Sequence, residues 1–506
     1  MGLAVQARNS PSPPGEERAG ERRPFASHRG EMPGEIPQGR PLHCGHQAAS
    51  KRTPLPYPLP LEGERGQPGG GRVDIQEEGE ETPQEVEQGQ FNRRIERCAT
   101  KCAAAWAEAA TTSANFGAKI DLAEKQEREQ RADREVEEIE AHLRRWPAAR
   151  ARRASWRRGL LEALRRMAGD YLKGDADGLD QLFTFEALEA TRQFIRQARA
   201  FAPAITDQDL FQALRNLWVT HSVQLFLRAP ITLSPPLFAY SMLYPWTDNC
   251  LDDAQLDLAE KLAFGDWLTL RLSGVKAAPW NLHSQQVCRL VGMIERFFPR
   301  AEFPAVYLSL QAIHQAQMRS LEQQDAARAW DERALLRLSI AKGGASVLTD
   351  ACLVRGSLTE EAAEFTFAYG VVLQLMDDLQ DFRQDRANRH VTIFTVHAEL
   401  GPLDEVTARL WAFTQSVLWR FNRFAATQPV SLKSLIQDNL RLLLTQTVAR
   451  SSTCYTPEFV RLVEASSPVR FRYLAGQEKT MAKKYSRVVA IIRQNRKLDS
   501  LFELLD

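Results

Sequence analysis

The chain has no uninterrupted apolar run near the roughly 18 residues a membrane span needs, so no part of it is expected to cross a bilayer. Its N-terminus does not pair a charged start with an apolar core, so it reads as having no secretory leader. Cysteine is sparse, seven in 506 residues, which without secretory context points to reduced thiols and a cytoplasmic protein. Cys98 and Cys102 share a helical face but lack the second pair a zinc site needs, which leaves packing as their reading. Charge is nearly balanced, 65 basic against 64 acidic residues, and a net +1 gives no case for nucleic acid as a partner. The period-two alternation of strands is missing throughout.

Proline and glycine crowd the beginning instead. Up to Pro68 the chain holds 12 of its 26 prolines, and such a segment has too little apolar surface to offset its ordering entropy. Residues 1–85 are expected to form a disordered extension, and the isolated His43 and His46 carry no metal reading. Residues 86–146 turn helical and highly charged. Ala132, Val136, Ile139, Leu143 and Trp146 follow the 4,3 spacing of a short coiled-coil seam, too brief for a rod and suited to packing on a neighbouring helix. From 147 to 506 one helical pattern follows another. The basic stretch from Arg150 to Arg166 shows Trp156, Leu160, Leu161 and Leu164 on an apolar face. That face offers contact with an anionic membrane surface, and the plainer reading is a solvated first helix of the domain. The fold class is all-α.

Within this region Gly370 to Asp385 combines an apolar back with an acidic front. At about 100° per residue, Gln374, Asp377, Asp378, Asp381 and Asp385 share an arc of roughly 100° that holds no cation. Val372, Leu375, Met376 and Leu379 fill much of the remaining circle. Carboxylates so placed repel one another and are costly to bury unpaired. The compensation that suits oxygen ligands is Mg²⁺, which completes its shell with water and substrate phosphates. A second acidic element, Asp248-Asn249-Cys250-Leu251-Asp252-Asp253, sets Asp248 and Asp252 one turn apart, 129 residues before Asp377. Pro235 and Pro236 mark the start of its helix, and Pro245 is expected to kink or restart it.

Gln374-Leu375-Met376-Asp377-Asp378-Leu379-Gln380-Asp381 resembles the second aspartate-rich motif of the class I isoprenoid synthases, the trans-prenyl diphosphate synthases and class I terpene synthases. The Asp248 element resembles their first motif, D-D-x-x-D, with Asn249 in the second place. The resemblance runs from about Trp156 to the C-terminus. It implies a helical bundle around a central cavity, a prenyl diphosphate substrate, and more than one Mg²⁺ ion bound with it. The implied metal set is Asp248, Asp252, Asp253, Asp377, Asp378, Asp381 and Asp385. Lys342 resembles the family's lysine ahead of the second motif. Arg386 and Arg389 stand near its basic residues after that motif, with Arg389-His390-Val391-Thr392 faintly like its G-K-x-T. Gln374, Tyr244, Tyr369 and the pair Arg472-Tyr473 are the implied substrate contacts. Peripheral membrane contact and a homodimer stay open. Gly343 and Gly344 either break their helix or permit a close helix crossing.

One departure bears on reaction type. Elongating synthases carry Gly-Gly-Lys-Arg ahead of the first motif to hold a second diphosphate, whereas here Arg215 to Trp246 has only Arg215 and Arg228 as fixed cations. Asp377 to Asp385 also partly resembles the N-D-x-x-S-x-x-x-E motif of terpene synthases. The expected activity is therefore ionisation of one allylic diphosphate to a terpene-type product. Chain elongation and non-catalytic prenyl diphosphate binding are the alternatives.

Overall fold

Helix starts in this chain are set by Ser, Thr, Asp and Asn, whose short side chains accept a hydrogen bond from an otherwise orphaned N–H of the first turn. The computed structural model describes residues 83–476 apart from 112–114, 146, 148, 172–183, 254, 326–327 and 425–429. The expected N-terminal extension up to residue 82, Trp146 of the heptad seam and residues 477–506 lie outside the described residues. In chain order the α-helices are α1 (Pro83–Glu108), α2 (Leu122–Arg144), α3 (Arg153–Tyr171), α4 (Phe185–Phe201) and α5 (Asp207–Phe226). There follow α6 (Pro235–Asp252), α7 (Leu258–Leu272), α8 (Leu282–Phe297), α9 (Pro304–Ser320) and α10 (Glu332–Arg355). The last are α11 (Glu360–Ala387), α12 (Ile393–Leu400), α13 (Asp404–Phe424), α14 (Val430–Arg450) and α15 (Pro457–Ser466). Asp121, Thr184, Thr206, Asp257, Asn281, Asp331, Thr359, Thr392 and Thr456 each cap the helix they precede. Among the described residues there is no strand, so the all-α reading stands.

α10 and α11 form the centre. Each is buried round most of its circumference, and α1, α5, α6, α9, α12, α13 and α14 pack about the two. They cross where Gly343 meets Gly370: a Cβ on Gly343 would lie 2.5 Å from the Gly370 carbonyl oxygen, and one on Gly370 would overlap the Gly343 carbonyl. Gly344 gives its space to the Phe367 ring. The glycines therefore serve a close crossing, and α10 runs unbroken from Glu332 to Arg355. α6 likewise continues through Pro245 to Asp252.

The boundary that composition suggests at 146/147 is not a boundary in packing. Phe91, Cys98, Cys102 and Trp106 of α1 belong to the same core as α10 and α11. Arg94 and Arg97 pair with Glu360 at the start of α11, and Lys101 pairs with Glu364. α2 packs along α3: the His142 ring stacks on Trp156 at 4.9 Å, and the Trp156 indole N–H donates to the His142 carbonyl at 2.9 Å. Trp156 and Leu160 of the apolar face of α3 are buried, and α2 is the helix packed along it. No described helix is long and apolar enough to cross a membrane.

Candidate functional site

The first acidic element closes α6, whose Pro-Pro start and apolar body (Phe238, Tyr240, Met242, Leu243) bury it among α5, α8, α9 and α10. Asp248 leaves this body toward α10, where Lys342 Nζ lies 2.9 Å from its Oδ1. Gln317 of α9 donates to the same oxygen at 3.3 Å and accepts from the Thr247 hydroxyl at 3.2 Å. Burial works to lower the Lys342 pKa, but Asp248, Tyr244 and Asp252 outweigh it, so the ammonium is held well above its ordinary range. Tyr244 stands one turn before Asp248, its ring 6.0 Å from that of Tyr240. Asp252 is exposed at the helix end, and Asp253 accepts from the Gln255 backbone N–H at 2.8 Å. Asn249 turns to α5, where its amide and that of Gln212 exchange hydrogen bonds of 2.9 and 3.0 Å.

The second element leaves α11 in two directions. Asp377 accepts from Arg215 Nη2 of α5 at 3.0 Å. Asp378 instead points into the α10–α11 interface, where Ser339 Oγ and Gln374 Nε2 each donate to it at 2.7 Å. Burial pushes Asp378 up to about 6 against those two donors. Each of its oxygens accepts one of these two bonds, so Asp378 and Gln374 are turned toward each other and toward α10. Asp381 and Asp385 follow at one-turn intervals, both partly buried. Asp385 is pushed up to about 8, by burial first and then by the charges of Asp378, Asp381, Asp377 and Asp252.

A loop after α11 closes the same region. Gln323 and Val391 tie it to the 3₁₀ turn Leu321–Gln324, the Gln323 side-chain amide donating to the Val391 carbonyl at 2.8 Å. His390 is driven down to about 4 by burial and by the Lys342 charge, with Asp248 opposing. The structure thus brings Asp248, Lys342, Tyr244, Asp377, Asp381, Asp385 and His390 into one electrostatic neighbourhood.

Other expected residues lie elsewhere. Arg386 is exposed with its guanidinium 4.0 Å from Glu399, and Arg389 is exposed in a turn at φ 58°. Arg386 stays on the surface because the helix arc that carries the acids inward carries its position out, and Arg389 lies beyond the end of α11. Tyr369 is core, stacked on Phe365 and edge-on to Phe226. Arg472 lines a cleft of about 470 Å³ with Leu122, Lys125 and Phe471, while the Tyr473 hydroxyl donates to Asp133 at 2.9 Å. That pair belongs with α2 and faces neither acidic motif.

Sequence reasoning named Arg215 as a fixed cation but missed the polar stripe of α5 to which it belongs. Gln212, Arg215, Asn216 and Thr220 form a polar stripe along one side of the helix, and they reach Asn249, Asp377, Ser241 and Asp350 respectively. The available signal was their helical spacing, but amides and hydroxyls do not stand out where the search is for cations. Asp350 was missed too. It is buried on α10, two turns beyond Lys342, with the Thr220 hydroxyl at 2.7 Å, and burial pushes it up to about 8.

Carboxylates from two helices make an all-oxygen donor set, which suits a hard cation such as Mg²⁺. Asp248, Asp252, Asp377, Asp381 and Asp385 are the residues that would hold it. Among the described residues no three His, Cys, Asp or Glu side chains already converge on one point. No family model matches the chain and no curated protein matches its sequence, so the family resemblance rests on these residues alone.

Proposed function

We propose that this chain binds one allylic prenyl diphosphate together with Mg²⁺ between the end of α6 and the middle of α11, and ionises it in a class I, terpene synthase-like reaction. The observation that carries the reading is Lys342. Its ammonium sits 2.9 Å from Asp248 of the first motif, and Ser339, one turn earlier on the same helix, bonds Asp378 of the second at 2.7 Å, which supports a site served by both motifs and a fixed cation. In the step itself the allylic C–O bond breaks and its electron pair leaves with the diphosphate. Mg²⁺, when bound with the substrate, supplies Lewis-acid charge to that leaving group. Lys342 adds a preorganised donor on the same side, worth most in a water-poor setting. Asp248 and Asp377 orient the charged end.

A single diphosphate is also what the available cations support. Arg215 is turned to Asp377, and Arg228 is exposed at φ 52°, so α5 and α6 present no separate cation cluster for a second anion. A buried diphosphate without such partners would carry a penalty of several kcal/mol.

The test offers the full chain farnesyl, geranylgeranyl and longer diphosphates with Mg²⁺, with and without isopentenyl diphosphate, and identifies products by mass spectrometry. Hydrocarbon or alcohol from the allylic substrate alone is expected. Asp248→Asn and Asp377→Asn are each expected to lower turnover about 100-fold or more while leaving the circular dichroism melt cooperative. Turnover that persists in excess chelator sinks the proposal. Longer diphosphates formed only with isopentenyl diphosphate would replace it with elongation, and tight binding without any product would replace it with a binding role.

A further inference from the structure

α5 touches both acidic motifs from one face: Gln212 holds Asn249 of the first, and Arg215, three residues on, holds Asp377 of the second. The two contacts differ in kind. The Gln212–Asn249 pair is a reciprocal amide lock, whereas Arg215 and Asp377 meet through one bond of 3.0 Å with about a quarter and a third of their side chains exposed. Asp377 is the one partner recorded for the Arg215 guanidinium among the described residues. An ion pair of that exposure is worth little in itself, so it is easily exchanged. A diphosphate is a stronger partner for the same fork, because it takes two parallel charge-assisted hydrogen bonds. Such an exchange leaves the helix where it is. Gln212 on Asn249, Asn216 on Ser241 at 3.4 Å and Thr220 on Asp350 at 2.7 Å keep α5 anchored to α6 and α10 whatever Arg215 does.

We propose that Arg215 is a diphosphate-binding residue of this site, held by Asp377 until a diphosphate binds and then transferred to it, which would release that carboxylate to a metal ion. The inference rests on the proposed ionisation reading and adds a site residue to it. It also gives a reason for the charge pattern of the site: Arg215 guards Asp377 on one side as Lys342 guards Asp248 on the other.

Isothermal titration calorimetry with inorganic diphosphate in excess Mg²⁺ tests this on the full chain, comparing wild type, Arg215→Gln and Arg215→Lys. Wild type is expected to bind, Arg215→Gln to bind about 10- to 100-fold more weakly, and Arg215→Lys to recover part of the loss. The ligand-free melting temperature of Arg215→Gln should stay near that of wild type, since a partly exposed pair adds little to stability. Wild type that binds while Arg215→Gln binds equally well overturns the role of Arg215 alone and makes the pair a brace. Wild type that fails to bind diphosphate at all overturns the ionisation reading, and this proposal with it. A ligand-free Arg215→Gln that melts far below wild type also counts against a parked, exchangeable cation.

Discussion

A primary amide can donate and accept at once, and a carboxylate cannot. That difference decides Asn249, which stands where the resembled motif has an aspartate. Its Nδ2 donates to Gln212 at 2.9 Å while its Oδ1 accepts from the same amide at 3.0 Å. Asn249→Asp would restore the motif on paper, yet it would set a carboxylate oxygen against Gln212 Oε1 and strand a half-buried acceptor. The expected result is a loss of about 1–3 kcal/mol in chemical denaturation and no gain in turnover. A variant of unchanged stability that needs less Mg²⁺ would show that Asn249 is a depleted ligand position instead. The same reasoning explains why part of the acidic front was legible in the sequence and part was not. Helical spacing groups Asp377, Asp378, Asp381 and Asp385 on one arc, but it cannot say that Ser339, 39 residues earlier, waits to bond Asp378. Partners from other helices decide which carboxylates face the site.

Between elements, the crossing of α10 and α11 sets the height of the site, because Lys342 precedes Gly343 directly and Gln374 packs against it. Glycine inside a helix costs about 1 kcal/mol relative to alanine, so Gly→Ala is stabilising where space allows. Here the sign reverses. Gly370→Ala would drive a methyl into the Gly343 carbonyl, backbone against backbone, with no flexible side chain to yield. A loss of about 1–3 kcal/mol or more is expected, with a lower urea midpoint and weakened Mg²⁺–diphosphate binding as Lys342 shifts. A rise in stability would mean the helices do not cross at these glycines. From the sequence alone the pair Gly343-Gly344 fits a broken helix as well as a crossing. Gly370, the residue that resolves it, lies on a different helix, and periodicity reports faces rather than which faces meet. The α5 stripe was hidden for the same reason: its polar residues gain meaning only once α6, α10 and α11 stand opposite them.

At the scale of the whole molecule, enclosing α10 on every side lets the fold bury an acid. α1 takes part in that enclosure, and Cys98 and Cys102, their thiols raised to about 11 and about 12 by burial, act there as small apolar residues. Composition grouped α1 with the charged segment because its Arg and Lys residues face Glu360 and Glu364, while its buried stripe of Phe91, Cys98, Cys102 and Trp106 is too sparse to register. Inside, Asp350 is held up to about 8 by burial, with only the Thr220 hydroxyl opposing. A carboxyl whose folded pKa exceeds its unfolded value of about 3.9 binds its proton more tightly in the native state. Its contribution to stability is therefore complete below about pH 4 and is lost as pH rises toward 8. Asp378 acts with the same sign up to about pH 6. His221, His283 and His390, each lowered to about 4, act with the opposite sign between that value and their ordinary 6.5. Asp385 shares the upper range, so the wild-type curve alone does not isolate Asp350, and the difference from Asp350→Asn does. The amide keeps an oxygen for Thr220 and has no proton to lose. Between pH 6.5 and 8, wild type is expected to lose on the order of 2 kcal/mol more stability than Asp350→Asn, read from urea midpoints at matched ionic strength. Parallel curves over that interval would mean that Asp350 is ionised throughout, and that the interior of the bundle around Thr220 is wet.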